Sequence, residues 1–397
     1  MIMEQNELYI IYGTDYADTV VRLLEETDLD GMIMRKCMPA FLHKKTNDFE
    51  TTDAAGESYG FLTEKAGIRI GIKPNLVAPI PAEDGGTTHP EVVEGLISYL
   101  LEKGYRNLCI MESSWVGDRT EDAFQVCGYY ELAERLQLPL IDIKKEKYRN
   151  VNCAGLELAV SEAALDVDFL INVPVLKGHC QTRITCALKN MKGLLPDFQK
   201  RAFHRMGLHD PIGRLSAGIH QDFILVDSIC GDLRFEDGGN PVQQDRLIAA
   251  ADPVLCDSYC CSLLHIPVEE VPYIGIAEAC GCGSSDLSSA MIHVCNEPLH
   301  PIDLSTAGKA LRLQELAEDV EACSACYGNL LPVLYQLQEE GILTDRFTEK
   351  ICIGQGYKGR CGKLGIGSCT SRFERYLKGC PPEKEEIYHF LKTVLME

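Results

Sequence analysis

Short apolar runs alternate with segments of helical spacing through the first 300 residues, and this alternation constrains the fold more than any other feature of the chain. Apolar residues recur three and four positions apart over 16–26, 90–102 and 122–136, which predicts helices there. Parallel strands need such crossover helices between them. The prediction is an α/β fold, an open and mostly parallel sheet with flanking helices. We expect strands at Leu8–Ile11, Ile68–Ile72, Asn107–Met111, Leu138–Ile143, Phe169–Val173, Phe223–Val226 and Met291–Val294.

The pattern weakens near Pro301 and Gly308, where we place a boundary. We predict an α/β anion- or substrate-binding domain over residues 1–300, a linker helix region over 301–320, and a small cysteine-rich segment over 321–397. Two polar stretches of the first domain, 47–64 and 198–221, are predicted to be loops, the second a mobile cover.

The charge balance excludes one class of partner. Lys and Arg number 38 against 59 Asp and Glu, a net charge of −21, which is unsuited to nonspecific nucleic-acid binding. We find no apolar run of the roughly 18 residues that a membrane helix needs, and the amino terminus lacks the pattern of a secretory signal. The sequence therefore predicts a cytoplasmic protein that binds neither nucleic acid nor a membrane.

Cysteine usage points to a metal site. The chain has 19 Cys, and in a reducing compartment grouped cysteines favour metal or cluster ligation over disulfides. The carboxy-terminal segment combines a C-x₂-C pair with two remoter cysteines, one of them followed by Pro, as in sites that hold a [4Fe-4S] cluster. The predicted ligands are Cys323, Cys326, Cys369 and Cys380.

Other interpretations of these cysteines stay open. The same thiolates could hold zinc, although zinc sites usually show a second short Cys pair. Cys323 and Cys326 could form a redox dithiol, or all four could be small buried apolar residues. Cys352 and Cys361 are spare thiols, of which Cys361 could replace a ligand. The pairs at 260–261 and at 280 and 282 are interpreted as structural.

Polar residues follow several predicted strands, and ligands of open parallel sheets bind at the carboxyl ends of strands. Basic and amide side chains there predict a site for a small anion. The candidate binding residues are Lys73, Asn75, Thr88, Asn172, Lys189, Asn190 and Lys192, and the candidate catalytic residues are His89, His179 and Lys177. The alternatives are a plain helix cap for Thr88, a cap of the helix that starts at Pro90 for His89, and a structural hydrogen bond for His179.

Five stretches together resemble the prokaryotic family called domain of unknown function 362, over about residues 65–300. They are Ile72-Lys73-Pro74-Asn75-Leu76-Val77, Thr88-His89-Pro90, Ile171-Asn172-Val173-Pro174-Val175-Leu176-Lys177-Gly178-His179, Ala187-Leu188-Lys189-Asn190-Met191-Lys192-Gly193 and Asp252-Pro253. Members are commonly labelled iron-sulfur centre proteins, so the resemblance implies a cluster-binding extension. The chain departs from the family at Gly178, where Thr is usual, and lacks a repeated C-x₂-C-x₂-C.

These observations favour a cytosolic iron-sulfur protein, an oxidoreductase or electron-transfer protein acting on a small anionic substrate or cofactor, with a redox partner protein. One alternative is a non-redox enzyme, isomerase or ligase-like, whose zinc or cluster is structural. The other is a scaffold protein that carries a cluster. The sequence names neither the substrate nor the oligomeric state.

Overall fold

The computed structural model describes residues 2–45, 65–233, 241–301, 313, 315–344 and 347–396. Its strands are β1 (Glu7–Tyr12), β2 (Arg69–Pro74), β3 (Asn107–Glu112), β4 (Leu140–Asp142), β5 (Tyr148–Cys153), β6 (Leu156–Ser161), β7 (Phe169–Val173), β8 (Lys177–His179), β9 (Arg183–Thr185), β10 (Phe223–Ser228), β11 (Arg246–Ala250), β12 (Met291–Val294), β13 (Ala317–Asp319), β14 (Ile351–Ile353), β15 (Leu364–Ile366) and β16 (Arg375–Leu377). Its helices are Tyr16–Glu26, Leu29–Lys45, Pro90–Glu102, Thr120–Val126, Tyr129–Leu136, Glu162–Leu165, Ala187–Asn190, Asp197–Arg205, His209–Leu215, Pro253–Leu263, Pro272–Ala279, Ser324–Glu339 and Lys384–Met396.

Eight strands form the main sheet, in the order β12-β1-β11-β10-β7-β2-β3-β4. Their pairings are parallel except that β11 runs antiparallel to both of its neighbours. The helix Pro90–Glu102 carries the chain from β2 back to the start of β3, as a parallel pair requires. The predicted α/β fold with a mostly parallel sheet is confirmed, and each of the seven predicted strands is present within three residues at either end.

Both faces of this sheet are covered by helices and carry a hydrophobic core. Along β10, Phe223 and Leu225 belong to one core, while Ile224 and Val226 belong to the other. All four side chains are buried. Side chains of successive strand residues point to opposite faces, so a strand buried on both sides is apolar throughout. Its first polar residue after the apolar run, Asp227, marks the carboxyl edge of the sheet.

The cysteine-rich segment forms its own parallel sheet, in the order β13-β14-β15-β16. The helices Ser324–Glu339 and Lys384–Met396 supply its apolar core together with strand residues such as Ile353. One prediction is wrong here, because Ala317–Asp319 of the expected linker helix is strand β13, which pairs with β14. The β8–β9 hairpin contacts this segment, because Gln181 Nε2 donates hydrogen bonds to Asp319 Oδ2 (2.8 Å) and to the Ala322 carbonyl (3.3 Å).

Two further expectations differ from the structure. The predicted helix over 122–136 is two helices, because Gly128 adopts a left-handed conformation (φ 77°) that ends the first. The predicted loop over 198–221 contains the helices Asp197–Arg205 and His209–Leu215, whose Phe203 and Leu215 are fully buried. Packing of these apolar residues outweighs the polar composition of the stretch. The predicted loop over 47–64 lies outside the described residues.

Candidate functional site

A buried ion pair lies at the carboxyl ends of β2 and β3. Lys73 Nζ donates hydrogen bonds to Glu112 Oε2 (2.6 Å), to the Pro74 carbonyl (2.7 Å) and to Asn190 Oδ1 (3.2 Å). The two charged side chains are 0% and 3% exposed. Burial lowers the pKa of Lys73, and the Glu112 carboxylate acts against that effect. The sequence predicted Lys73 and Asn190 as site residues, and the structure brings them into contact.

A second buried lysine, Lys200, lies beside this pair. Its Nζ donates to Ser113 Oγ (2.5 Å) and to the carbonyls of Ser113 (3.0 Å) and Ser114 (2.7 Å). Burial, reinforced by the positive charges of Lys144 and Lys192 and opposed chiefly by Glu112, lowers the pKa of Lys200 to about 7. An amine with such a pKa can both accept and release a proton near neutrality.

Gly193 allows the backbone to approach the ion pair closely. A Cβ at this position would stand 2.2 Å from Glu112 Oε1 and 2.6 Å from Lys73 Nζ, so a larger residue would displace one of them. The neighbouring Lys192 is only half-buried, and its Nζ lies 3.3 Å from His204 Nε2. We call Lys73, Glu112 and Lys200 the lysine cluster; Lys192 and Gly193 connect it to the protein surface.

Amide and hydroxyl side chains tie the strand ends together around the lysine cluster. Asn190 Nδ2 donates to Asn172 Oδ1 (2.7 Å). Thr88 Oγ1 donates to the Val173 carbonyl (2.8 Å) and accepts from the Asn75 backbone N–H (2.8 Å). Thr88 therefore bridges β7 and the end of β2 rather than capping a helix, since His89 is the N-cap residue. These contacts position the site, and a binding role for Asn75, Thr88 and Asn172 remains a prediction.

His89 belongs to a separate polar group. Its Nδ1 lies 2.8 Å from Asp227 Oδ2, and its Nε2 lies 3.4 Å from Cys230 Sγ. Burial would lower the pKa of His89, but the Asp227 carboxylate outweighs it and raises that pKa to about 11. Residues two positions apart on a strand face the same side of a sheet. Asp227 therefore shares one face with Leu225, and Lys73 shares the other face with Gly71.

The remaining predicted residues have their own contacts. Lys177 Nζ donates to the Gly86 carbonyl (2.6 Å), and Lys189 Nζ donates to Thr185 Oγ1 (3.1 Å). His179 Nδ1 accepts from the backbone N–H groups of residues 181 (3.0 Å) and 182 (3.1 Å), which fixes the turn between β8 and β9. The ten predicted residues thus form more than one cluster, and the roles of Lys177, His179 and Lys189 in binding or catalysis remain predictions.

The four predicted cysteine ligands lie around one end of the second sheet. Cys369 and Cys380 each follow by three residues the last residue of a strand, β15 and β16, and these strands are parallel neighbours. Cys323 is the N-cap residue of the helix Ser324–Glu339, and Cys326 lies in its first turn. Burial, together with the charges of the other three cysteines, raises the pKa of Cys326 to about 12.

The sulfurs of these four residues are close but not in mutual contact. In the described ranges, only the sulfurs of Cys186, Cys256 and Cys260 form a group of three within 4.8 Å of one another. Cys326 Sγ lies 3.6 Å from the point where a Cβ of Gly367 would stand, so the glycine leaves space beside the sulfur.

Cys186, Cys256 and Cys260 form a buried thiol triad that the sequence analysis did not identify. The sulfurs of Cys186 and Cys260 are 3.6 Å apart, and all three residues are fully buried. Their ligand atoms are close enough to bind one metal ion, and thiolates favour soft metals. The sequence signal for this triad was the spacing of Cys256 and Cys260, which lie one turn apart on the helix Pro253–Leu263.

The nearby carboxyl group of Asp257 is also buried. Burial raises the pKa of Asp257, which accepts hydrogen bonds from the backbone N–H groups of residues 187 and 188.

A cavity of about 580 Å³ lies beyond the amino-terminal ends of β1 and β10, at the other end of the strands from the lysine cluster. It is bordered by residues that precede β1 and β10, by Asp252 and by residues 280–284, and it contains none of the predicted site residues.

None of the helices that the structure describes is both long and apolar enough to cross a membrane.

Comparisons with known proteins find one similar sequence and one weak structural likeness. The thylakoid-associated protein sll1697 of Synechocystis sp. (strain ATCC 27184 / PCC 6803 / Kazusa) is 25% identical over 228 residues, which are 55% of this chain and 69% of that protein. The lactate racemase apoprotein from Thermoanaerobacterium thermosaccharolyticum aligns with a TM-score of 0.37 and 12% identity, over 64% of this chain and 56% of that chain. Residues 70–262 match the family described as domain of unknown function (DUF362). The matched range includes all three residues of the lysine cluster.

Proposed function

We propose that this protein is an iron-sulfur oxidoreductase or electron-transfer protein that acts on a small anionic substrate or cofactor. Cys323, Cys326, Cys369 and Cys380 would hold a [4Fe-4S] cluster. The observation that carries the proposal is the position of these thiols in the fold: Cys369 and Cys380 each follow a strand of one parallel sheet by three residues, and Cys323 and Cys326 lie at the start of a helix of the same segment. When bound, a cluster supplies a one-electron carrier.

The order of the ligands along the chain supports a cluster over zinc. Structural zinc sites usually pair two short Cys motifs. Cys323 and Cys326 form such a pair, but the other two thiols, Cys369 and Cys380, lie eleven positions apart, as the remoter ligands of clusters do.

The contact between the β8–β9 hairpin and the cysteine-rich segment supports electron transfer between the cysteine site and the α/β fold. Gln181 donates to the Ala322 carbonyl, and Ala322 directly precedes Cys323. Gln181 lies in the turn between β8 and β9, the hairpin that carries Lys177 and His179. The cysteine site therefore lies next to an element with two of the candidate catalytic residues.

The lysine cluster supports the substrate end of the proposal. Lys73 and Lys200 are buried amines, Glu112 is paired with Lys73, and Lys144 and Lys192 add positive charge near Lys200 while Asp197 adds negative charge. Such a group favours an anionic ligand over a neutral one. Lys200 Nζ would hold or release the proton that accompanies an electron, because its pKa is about 7.

Lys200 also favours a second candidate, a non-redox enzyme that moves a proton on an anionic substrate. In that case the metal sites would be structural, whether in the carboxy-terminal segment or in the buried triad. A cytoplasmic location and a redox partner protein remain predictions in both cases.

The test is metal analysis of anaerobically purified protein and its variants. We expect about four iron and four sulfide per chain and a broad visible absorption that Cys369→Ser abolishes. Cys352→Ser is the matched control, a half-buried thiol in strand β14 of the same segment whose loss should leave the cluster in place. One zinc per chain without iron would contradict the redox proposal and favour the second candidate.

A further inference from the structure

A thiol, an imidazole and a carboxylate lie in line at the carboxyl end of β10. Cys230 Sγ is 3.4 Å from His89 Nε2, and His89 Nδ1 is 2.8 Å from Asp227 Oδ2. We propose that Cys230 is the nucleophile of an acyl-transfer site, with His89 as its acid-base group and Asp227 as a positioning residue. This inference goes beyond the proposed function and requires neither the cluster nor the lysine cluster.

The orientation of the three groups is fixed by the backbone. Asp227 Oδ2 also accepts from the His89 backbone N–H (2.8 Å), and its Oδ1 accepts from the Ile229 N–H (3.1 Å). With Nδ1 bound to the carboxylate, Nε2 is the nitrogen that faces the sulfur. A nucleophile, a base and a third group that orients the base are the arrangement of cysteine enzymes on unrelated folds.

The charges of the site set the protonation of the acid-base group. The pKa of His89 is raised to about 11 because Asp227 outweighs burial, so the ring is an imidazolium at neutral pH. It can therefore supply the proton that a leaving group needs.

The thiol is buried beside an exposed residue. Cys230 is 5% exposed, and its Sγ donates hydrogen bonds to the Ala82 carbonyl (3.4 Å) and to that of the exposed Glu83 (3.7 Å). The ring of the half-buried Tyr16 meets His89 edge-on at 5.5 Å. The sulfur therefore contacts the backbone of a residue whose side chain faces solvent.

The reaction balances with water as the second reactant. The Cys230 thiolate attacks the carbonyl carbon of an ester or thioester, the bond to the leaving alcohol or thiol breaks, and His89 Nε2 gives that group its proton. The neutral His89 then takes a proton from water as the water attacks the acyl-cysteine. The carboxylic acid leaves, and the thiolate and imidazolium are restored.

The experiment compares two buried thiols of the same fold. Full-length protein is treated with p-nitrophenyl acetate, and acetylated peptides are timed by mass spectrometry. The control is Cys127, which is 3% exposed and whose Sγ contacts the Ile80 carbonyl (3.1 Å) and Thr87 Oγ1 (3.7 Å) rather than an imidazole.

We expect acetylation of Cys230 about 100-fold faster than of Cys127, the scale of acid-base assistance, and a similar loss in His89→Gln. Circular dichroism checks that this variant folds; if it does not, the comparison of the two cysteines in the wild-type protein decides. Equal rates at the two cysteines, or an undiminished rate at Cys230 in folded His89→Gln, would overturn the proposal.

Discussion

Replacing Glu112 by Gln should destabilise the α/β fold strongly at neutral pH. Among the described residues, Glu112 is the only carboxylate in contact with Lys73, and the Lys73 side chain is fully buried. The change removes this carboxylate. Breaking a buried ion pair on one side costs about 3–5 kcal/mol, because the partner charge stays buried without compensation. We therefore expect the free energy of unfolding to fall by about that amount.

The loss should shrink as the pH rises. Burial already lowers the pKa of Lys73, and removing Glu112 lowers it further, because Glu112 is the group that opposes burial. A lysine whose pKa is lower in the folded than in the unfolded state binds fewer protons when folded, so stability rises with pH between the two values. The difference between Glu112→Gln and the wild-type protein should therefore be smaller at pH 9 than at pH 7.

Urea unfolding followed by the fluorescence of Trp115 measures this effect. Trp115 is the one tryptophan of the chain, three residues after Glu112. The matched control is Glu94→Gln, which breaks a surface pair with Arg135 whose side chains are 30% and 55% exposed. Exposed pairs contribute about 0.2–1 kcal/mol. Equal losses in the two variants, or a loss independent of pH, would refute the reasoning.

Three further variants test neighbouring features. Gly193→Ala should lower the free energy of unfolding by about 1–3 kcal/mol, since its Cβ would stand 2.2 Å from Glu112 Oε1, and an unchanged urea midpoint would contradict this close packing. Lys200→Met should flatten the rise of stability between pH 7 and 9, because the pKa of Lys200 is about 7 when folded; an unaltered slope would show that this amine does not titrate there. Cys260→Ser should remove one equivalent of thiolate-bound cadmium per chain, seen by ultraviolet absorption, while Cys261→Ser retains it; equal binding by both would rule out the triad as a site.

The sheet could be predicted because its strands are defined locally. Phe169–Val173 is a mostly apolar run between Asp168 and Pro174, and the strand has the same bounds. Strand Arg246–Ala250 was missed because it is antiparallel, with no crossover helix before it to mark it. Helix Asp197–Arg205 was missed because its polar composition hides the packing of Phe203.

The candidate site was predictable only where a residue's position in the sheet decides its neighbours. Lys73 was identified because it follows a strand, and the ends of parallel strands meet. Lys200 lies in a helix predicted as a loop, so nothing in the pattern placed it beside Ser113. Cys230 and His89 are 141 residues apart, and only the completed fold brings them together.

The most direct test of the central claim is Mössbauer spectroscopy of protein produced with ⁵⁷Fe and purified without oxygen. The account predicts the signal of a [4Fe-4S] cluster at about one per chain, lost in Cys323→Ser and retained in Cys352→Ser. The contradicting result would be wild-type protein that shows no cluster signal and holds zinc at the four thiols. That result would rule out the assignment of cluster ligands to Cys323, Cys326, Cys369 and Cys380.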